Sequence, residues 1–179
     1  MRIETKRLFL REWRETDVNS YIEMSRDIGY NCFSPPGAYS VRDEAEAKGE
    51  IRKRMELFAA RGFAKFPVFL KQDEDFIGTC GLQPVQIEEK EEIELGYRLC
   101  LKHWGRGYAL EAATAVLRYG FEDLKLEKLK AFVLPQNRAS VRILEKLGCQ
   151  YQREFLYAGI PHRLYKIDRK NFTRTVEDV

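Results

Sequence analysis

Two glycines stand one residue apart in the run Leu101-Lys102-His103-Trp104-Gly105-Arg106-Gly107-Tyr108-Ala109-Leu110-Glu111-Ala112. With no Cβ at Gly105 or Gly107, the backbone there can close on a bulky anion. An apolar and β-branched stretch at 93–101 leads into the turn, and an amphipathic helix leaves it near Gly107. The first turn of such a helix aims unpaired N–H groups and the positive end of its dipole at the same spot. Anion binding is the chemistry this arrangement favours, and phosphate is the commonest such anion. Arg106 and Lys102 are candidates to add charge to such a site, at roughly 1.5–3 kcal/mol for each charge-assisted hydrogen bond made, the plain alternative for each being a solvated surface cation. The plain alternative is a strand-to-helix turn that happens to contain glycines.

Other chemistries find less support. The cysteines, Cys32, Cys80, Cys100 and Cys149, are widely spaced without a C-x-x-C pair, and the histidines are only His103 and His162. That spacing matches no zinc site, so no metal is expected, and free thiols in a reducing compartment are. A nucleophilic Cys100 has no visible base beside it. His103 reads as a surface or packing residue, and His162 as the tip of a turn within reach of a substrate. No G-x-x-x-x-G-K-[ST] occurs, which argues against a nucleoside-triphosphate site. The G-x-G also lacks the third glycine and the acidic residue of a dinucleotide fold.

At 179 residues the chain has the length of one domain with a real core, 1–179, with 173–179 expected as a flexible tail. Apolar residues make up 44% and charged residues 33%, a soluble composition. The net charge of +3 carries no block of like charges, so nucleic acid is not an expected partner. The N-terminus is charged where a signal peptide needs an apolar run. No stretch approaches ~18 apolar residues, so no membrane span and a cytoplasmic location are expected.

Several elements must position the turn. Residues 7–11 alternate as a half-exposed strand, and Thr16 and Asp17 offer cap chemistry for a helix to about Arg26. Residues 29–40 read as a loop whose Tyr30, Phe33 and Tyr39 cover a pocket. Ser40-x-x-Asp43 resembles a capping box for a long charged helix to about Ala60. A hairpin at 64–70 and 76–82 follows, with 92–101 continuing the sheet. After the helix at 107–121 come a strand at 130–134, a helix capped by Asn137 and stopped by Gly148, and a closing hairpin at 151–157 and 163–168. This order implies a mixed α/β fold: a mostly antiparallel sheet of about seven strands with helices on both faces.

That order, with T-x-R-L-x-L-R from Thr5, E-L-G-Y at Glu94 to Tyr97, W-G-R-G-Y-A-x-E-A from Trp104 and N-x-x-S-x-x-x-L-E-K-L-G from Asn137, resembles the GNAT superfamily of N-acetyltransferases. The likeness is greatest to the RimJ/RimL-like branch, which acetylates protein N-termini and assorted small amines. It implies acetyl-coenzyme A as co-substrate, held in a cleft between the two central strands. It also implies an amine acceptor, either a protein N-terminus or a small molecule, and a monomer or homodimer. The family's phosphate signature, Q/R-x-x-G-x-G/A, falls on Trp104, Gly107 and Ala109, with Trp104 departing from Gln or Arg.

The resemblance places the pyrophosphate against the backbone of Gly105, Arg106, Gly107, Tyr108 and Ala109. Asn137, a helix N-cap in its own right, would also face the pantetheine arm. The N–H near Leu99 would polarise the acetyl carbonyl. Glu94 lies on the strand leading into the turn, where a general base would meet the amine; its plain alternative is a strand Glu paired with a cation. Many members carry a Tyr where Leu144 stands here, and Ser140, one helical turn earlier, is the expected substitute as hydrogen-bond donor to the departing thiolate, with Tyr108 and Tyr157 as alternatives. The competing function is a non-catalytic sensor that keeps the coenzyme A cleft.

Overall fold

Strands β5 (Lys90–Leu99) and β6 (Lys128–Val133) run parallel, and a single register pair joins them, Glu94 opposite Lys130. Past that pair the two strands part. β5 goes on to Leu99 against one neighbour, and β6 to Val133 against another. The computed structural model describes residues 1–34 and 40–172, and every other strand pair in it is antiparallel. Among the described residues the sheet has eight strands in the order β1 (Arg2–Glu4), β2 (Leu8–Arg11), β3 (Lys65–Leu70), β4 (Phe76–Ile87), β5, β6, β8 (Ile160–Asp168), β7 (Gln150–Tyr157). The strand beyond the seven expected is β1. Its Arg-Ile-Glu has too few residues to show alternation, and it is held by pairing Ile3 with Leu10.

Helices cover both faces. On one lie α1 (Val18–Arg26), α2 (Ile28–Asn31) and α3 (Glu44–Arg61); on the other lie α4 (Tyr108–Arg118) and α5 (Arg138–Lys146). Helix α4 buries Ala112, Ala113, Val116 and Leu117 against Leu82, Leu95 and Leu129. The alanines let its axis come close to the strands, and each fully buried Val or Leu contributes about 1.5–3 kcal/mol. The chain closes with α6 (Arg169–Phe172), whose Phe172 packs on Phe121 at 5.3 Å.

Two expected caps differ. The N-cap of α3 is Asp43 itself, accepting from the Glu46 N–H at 2.9 Å, so no box starts at Ser40. Arg42 supplies the reciprocal half, its N–H and guanidinium both bonding the Glu46 carboxylate. Asp17 makes no cap bond to α1. Its carboxylate instead takes both Arg11 guanidinium nitrogens at 2.7 Å and the Arg14 N–H. A partly buried bidentate pair outcompetes a single cap bond. Residues 29–31 belong to α2 rather than a loop, with Tyr30 in the core. The expected Tyr39 cover and the tail at 173–179 lie outside the described residues.

Candidate active site

Between β5 and α4 the chain makes one 3-10 turn, Leu101–His103, then passes through Gly105 (φ +73°) and Gly107 (φ +80°). Both angles lie in the left-handed region that a Cβ disfavours by roughly 1–2 kcal/mol. Nothing stands within 4 Å of where a Gly105 Cβ would be, so the turn has open space on that side. Gly107 is the N-cap of α4, and the first helix residues, Tyr108 and Ala109, present free amides there. A glycine cradle ahead of an eleven-residue helix fits a pyrophosphate.

The opening Thr5-Lys6-Arg7 holds this turn from behind. The Arg7 guanidinium donates to the Arg106 carbonyl at 3.0 Å and to Glu111 at 2.7 Å, and lies 4.6 Å above the Tyr108 ring. Glu111 also accepts from the Arg7 N–H and the Thr5 hydroxyl. Burial opposes ionisation of Glu111, yet those hydrogen bonds hold its carboxyl below the usual range. Trp104, where the family pattern has Gln or Arg, makes its contacts within the protein. Its indole N–H donates to the Leu99 carbonyl at 2.8 Å, and its ring stacks on Phe33 at 6.3 Å. It ties the turn to the end of β5.

Lys102 is turned away from the cradle. Its ammonium bonds Asp75 at 3.0 Å, because the β3–β4 hairpin brings that carboxylate beneath the 3-10 turn. His103, next to it, is buried, and neither ring nitrogen makes a hydrogen bond among the described residues. Its Nε2 lies 3.4 Å from Asp75 Oδ2.

The Cys100 N–H donates to the Ile77 carbonyl of β4 at 2.9 Å. Amides alternate along a strand, so those of Tyr97 and Leu99 point the other way, into the gap where β6 has parted. Across that gap stands the start of α5. Asn137 caps it, accepting from the Ser140 N–H at 3.1 Å. The Ser140 hydroxyl is 2.9 Å from the Tyr97 hydroxyl, which also reaches the Ser140 carbonyl at 3.2 Å. Leu144 points into the core, 2% exposed, so a phenol at that position is not what the helix presents here. Tyr97 is the residue that motif reading passed over.

Glu94 faces the opposite side of the sheet, at the point where the strands separate. It is 6% exposed; its Oε2 accepts from Gln83 at 2.6 Å and lies 3.6 Å from Lys65 Nζ. The plain alternative, a partly exposed strand Glu paired with a cation, is met in the pairing with Lys65 but not in the exposure. Thr79 and Arg98 share this face with it, Thr79 bonding the Tyr30 hydroxyl at 2.9 Å and Arg98 bonding the Tyr30 carbonyl at 3.2 Å.

A family model for the acetyltransferase (GNAT) domain matches residues 7–150. The chain belongs to the GNAT family. Like many of its relatives it is an N-acetyltransferase by fold and sequence. YnaD of Bacillus subtilis (strain 168), an uncharacterised N-acetyltransferase, is 31% identical over 155 residues, 87% of this chain and 86% of that one. YkkB of the same organism, an uncharacterised protein, is 40% identical over 102 residues, 57% of this chain and 58% of YkkB. The crystal structure of a GNAT-family acetyltransferase from Bacillus anthracis superposes with a TM-score of 0.76 at 26% identity, covering 95% of this chain and 99% of that one.

The remaining expected residues of this GNAT enzyme lie away from the cleft or are already engaged. His162 is not a turn tip. It is buried in β8, its Nδ1 within 2.9 Å of the Ile160 carbonyl and its ring against Phe132, Phe155 and Tyr157. Tyr157 sits in that aromatic cluster, and Tyr108 lies beneath Arg7. Burial pushes the Cys100 and Cys149 thiols up to about 12, which makes both poor nucleophiles.

Proposed function

We propose that this enzyme moves the acetyl group of acetyl-coenzyme A directly to a primary amine, of a protein N-terminus or a small molecule. The pyrophosphate rests on the amides of residues 105–109. The pantetheine arm enters the gap between β5 and β6, past Asn137. Acetyl-coenzyme A supplies an activated carbonyl and a thiolate leaving group. Leu99 N–H, with Tyr97 N–H beside it, is aimed where the carbonyl oxygen gathers charge. Glu94 takes the proton of the incoming amine, directly or through a water. Ser140, supported by the Tyr97 hydroxyl and the N-terminus of α5, donates to the departing sulfur.

The parting of β5 from β6 at Glu94 carries this reading. It leaves amides open on one strand edge, a carboxylate on one face and a hydroxyl pair on the other. The sensor alternative draws on the missing phenol at Leu144 and on Trp104 standing where the family has Gln or Arg. Against the first, the Tyr97–Ser140 hydroxyl pair offers a donor in place of that phenol; against the second, the turn offers backbone amides that need no side chain at Trp104. The test is calorimetric binding of acetyl-coenzyme A, followed by thiol release over a panel of amines and N-terminal peptides. Binding with amine-dependent release is the expected result. Binding without release on any amine would restore the sensor.

A further inference from the structure

Lys65 plays no part in the steps above, yet its amine lies at the reacting side of the sheet. Register places Lys65 opposite Gly81 between β3 and β4, and Gly81 opposite Gly96 between β4 and β5. Two glycines in line clear a channel across the strands. A Cβ on Gly96 would stand 2.6 Å from both Cε and Nζ of Lys65, and one on Gly81 would stand 2.6 Å from its Cα. The side chain thus crosses β4 and ends above Gly96, whose neighbour Tyr97 turns its amide into the gap. There the ammonium is 3.6 Å from Glu94 Oε2, with the Lys65 side chain 12% exposed. A carboxylate placed to deprotonate an amine already has one beside it.

We propose that Lys65 is an internal acceptor: with acetyl-coenzyme A in the gap and no external amine present, the enzyme acetylates the Lys65 Nζ. This rests on the reading of the site given above. Lys65 gives one proton to Glu94, and the nitrogen lone pair so freed forms a bond to the acetyl carbonyl carbon. The C–S bond breaks, and the sulfur leaves with its electron pair as thiolate. Of the two protons lost from nitrogen, one ends on the sulfur and the other reaches solvent through Glu94. The products are an Nε-acetyl-lysine, free coenzyme A and one proton. The modified side chain is neutral and longer, and it fills the place of the acceptor nitrogen, so an external amine both competes with the reaction and is excluded by its product.

The experiment begins with calorimetric binding of acetyl-coenzyme A to the full chain. The chain is then incubated with acetyl-coenzyme A alone, dialysed free of it, digested and mapped by peptide mass. The expected result is one acetyl on Lys65, ahead of the exposed Lys48 and Lys53. Its formation should be about a hundredfold slower in Glu94→Gln, the size of a general-base contribution. Should Glu94→Gln fail to fold, competition serves instead: an excess of any amine found to be a substrate should suppress the Lys65 signal. Binding without modification of Lys65, or modification spread evenly over Lys48, Lys53 and Lys65, overturns the proposal and leaves the acetyltransferase reading in place. Failure to bind acetyl-coenzyme A overturns that reading itself, and the internal acceptor with it.

Discussion

The Tyr97 hydroxyl lies 2.9 Å from the Ser140 hydroxyl, so the strand that ends in the glycine turn is tied to α5 across the gap. Burial raises the Tyr97 phenol far above its ordinary value, while the bond to Ser140 opposes the shift only in part. Tyr97 therefore stays protonated and acts as a donor, not a base. Ser140→Ala and Tyr97→Phe should each lower kcat about twofold to thirteenfold, as a neutral hydrogen bond of about 0.5–1.5 kcal/mol allows. Affinity for acetyl-coenzyme A should change little. Because the two hydroxyls form one chain, the double variant should lose less than the product of the single losses. Strictly multiplicative losses in thiol-release kinetics would show that the two act separately.

Gly107 is required twice over. Its φ of +80° penalises any Cβ, and a Cβ there would stand 3.4 Å from the Arg7 guanidinium that braces the turn. Gly107→Val should weaken acetyl-coenzyme A binding at least about tenfold, with a stability loss on the order of 1–2 kcal/mol. Gly105→Ala provides the comparison, since it carries similar strain (φ +73°) with open space around it. Calorimetry and thermal melting on both variants check this. Equal affinity in wild type and a folded Gly107→Val protein would remove the cradle from the argument.

These two sites differ in how much of them a sequence can carry. A positive φ selects glycine locally, so Gly105 and Gly107 announce the turn without any fold, and Asn137 announces its helix start in the same way. The place of Glu94 on the strand that feeds the turn is legible from its motif, while its pairing with Lys65 is not. The Tyr97–Ser140 bond joins residues 43 apart and the Lys65 channel depends on three strands in register, so neither follows from local pattern. Lys102 is a case of the same kind: its place in the sequence puts it beside the glycine turn, while the Asp75 carboxylate that pairs with it in its exposed position comes from 27 residues away. Trp104 shows the reverse case, a departure from the family pattern that only the Leu99 carbonyl explains.

His103 should make the stability of the fold sensitive to acid. Burial is the main cause holding its pKa below the ordinary 6.5, with Lys102 adding to it and Asp75 opposing. The folded chain thus keeps the imidazole neutral at a pH where the unfolded chain has already bound a proton. Stability contributed this way is present above the unfolded value and is lost as pH falls through it toward the folded value. The melting temperature should drop between about pH 7 and pH 5, and His103→Phe should flatten that portion of the curve. A wild-type profile unchanged by the substitution would assign the acid sensitivity elsewhere.

Glu94 stands between two roles that one variant cannot separate. As a base, its loss should slow turnover about a hundredfold near neutral pH, with partial recovery at higher pH where more of the acceptor amine is already neutral. As the partner of a buried ammonium, its loss also leaves Lys65 uncompensated, and breaking such a pair costs about 3–5 kcal/mol. Glu94→Gln should therefore show both slow turnover and a lowered melting temperature. Adding Lys65→Met removes the orphaned charge while keeping a flexible chain in the channel above Gly96, and should restore most of the stability. Turnover should not return with it, because no group has regained the capacity to take a proton. The pH–rate profiles of wild type, Glu94→Gln and the double variant decide the matter: recovery of neutral-pH turnover in the double variant would mean that Glu94 serves only to hold Lys65.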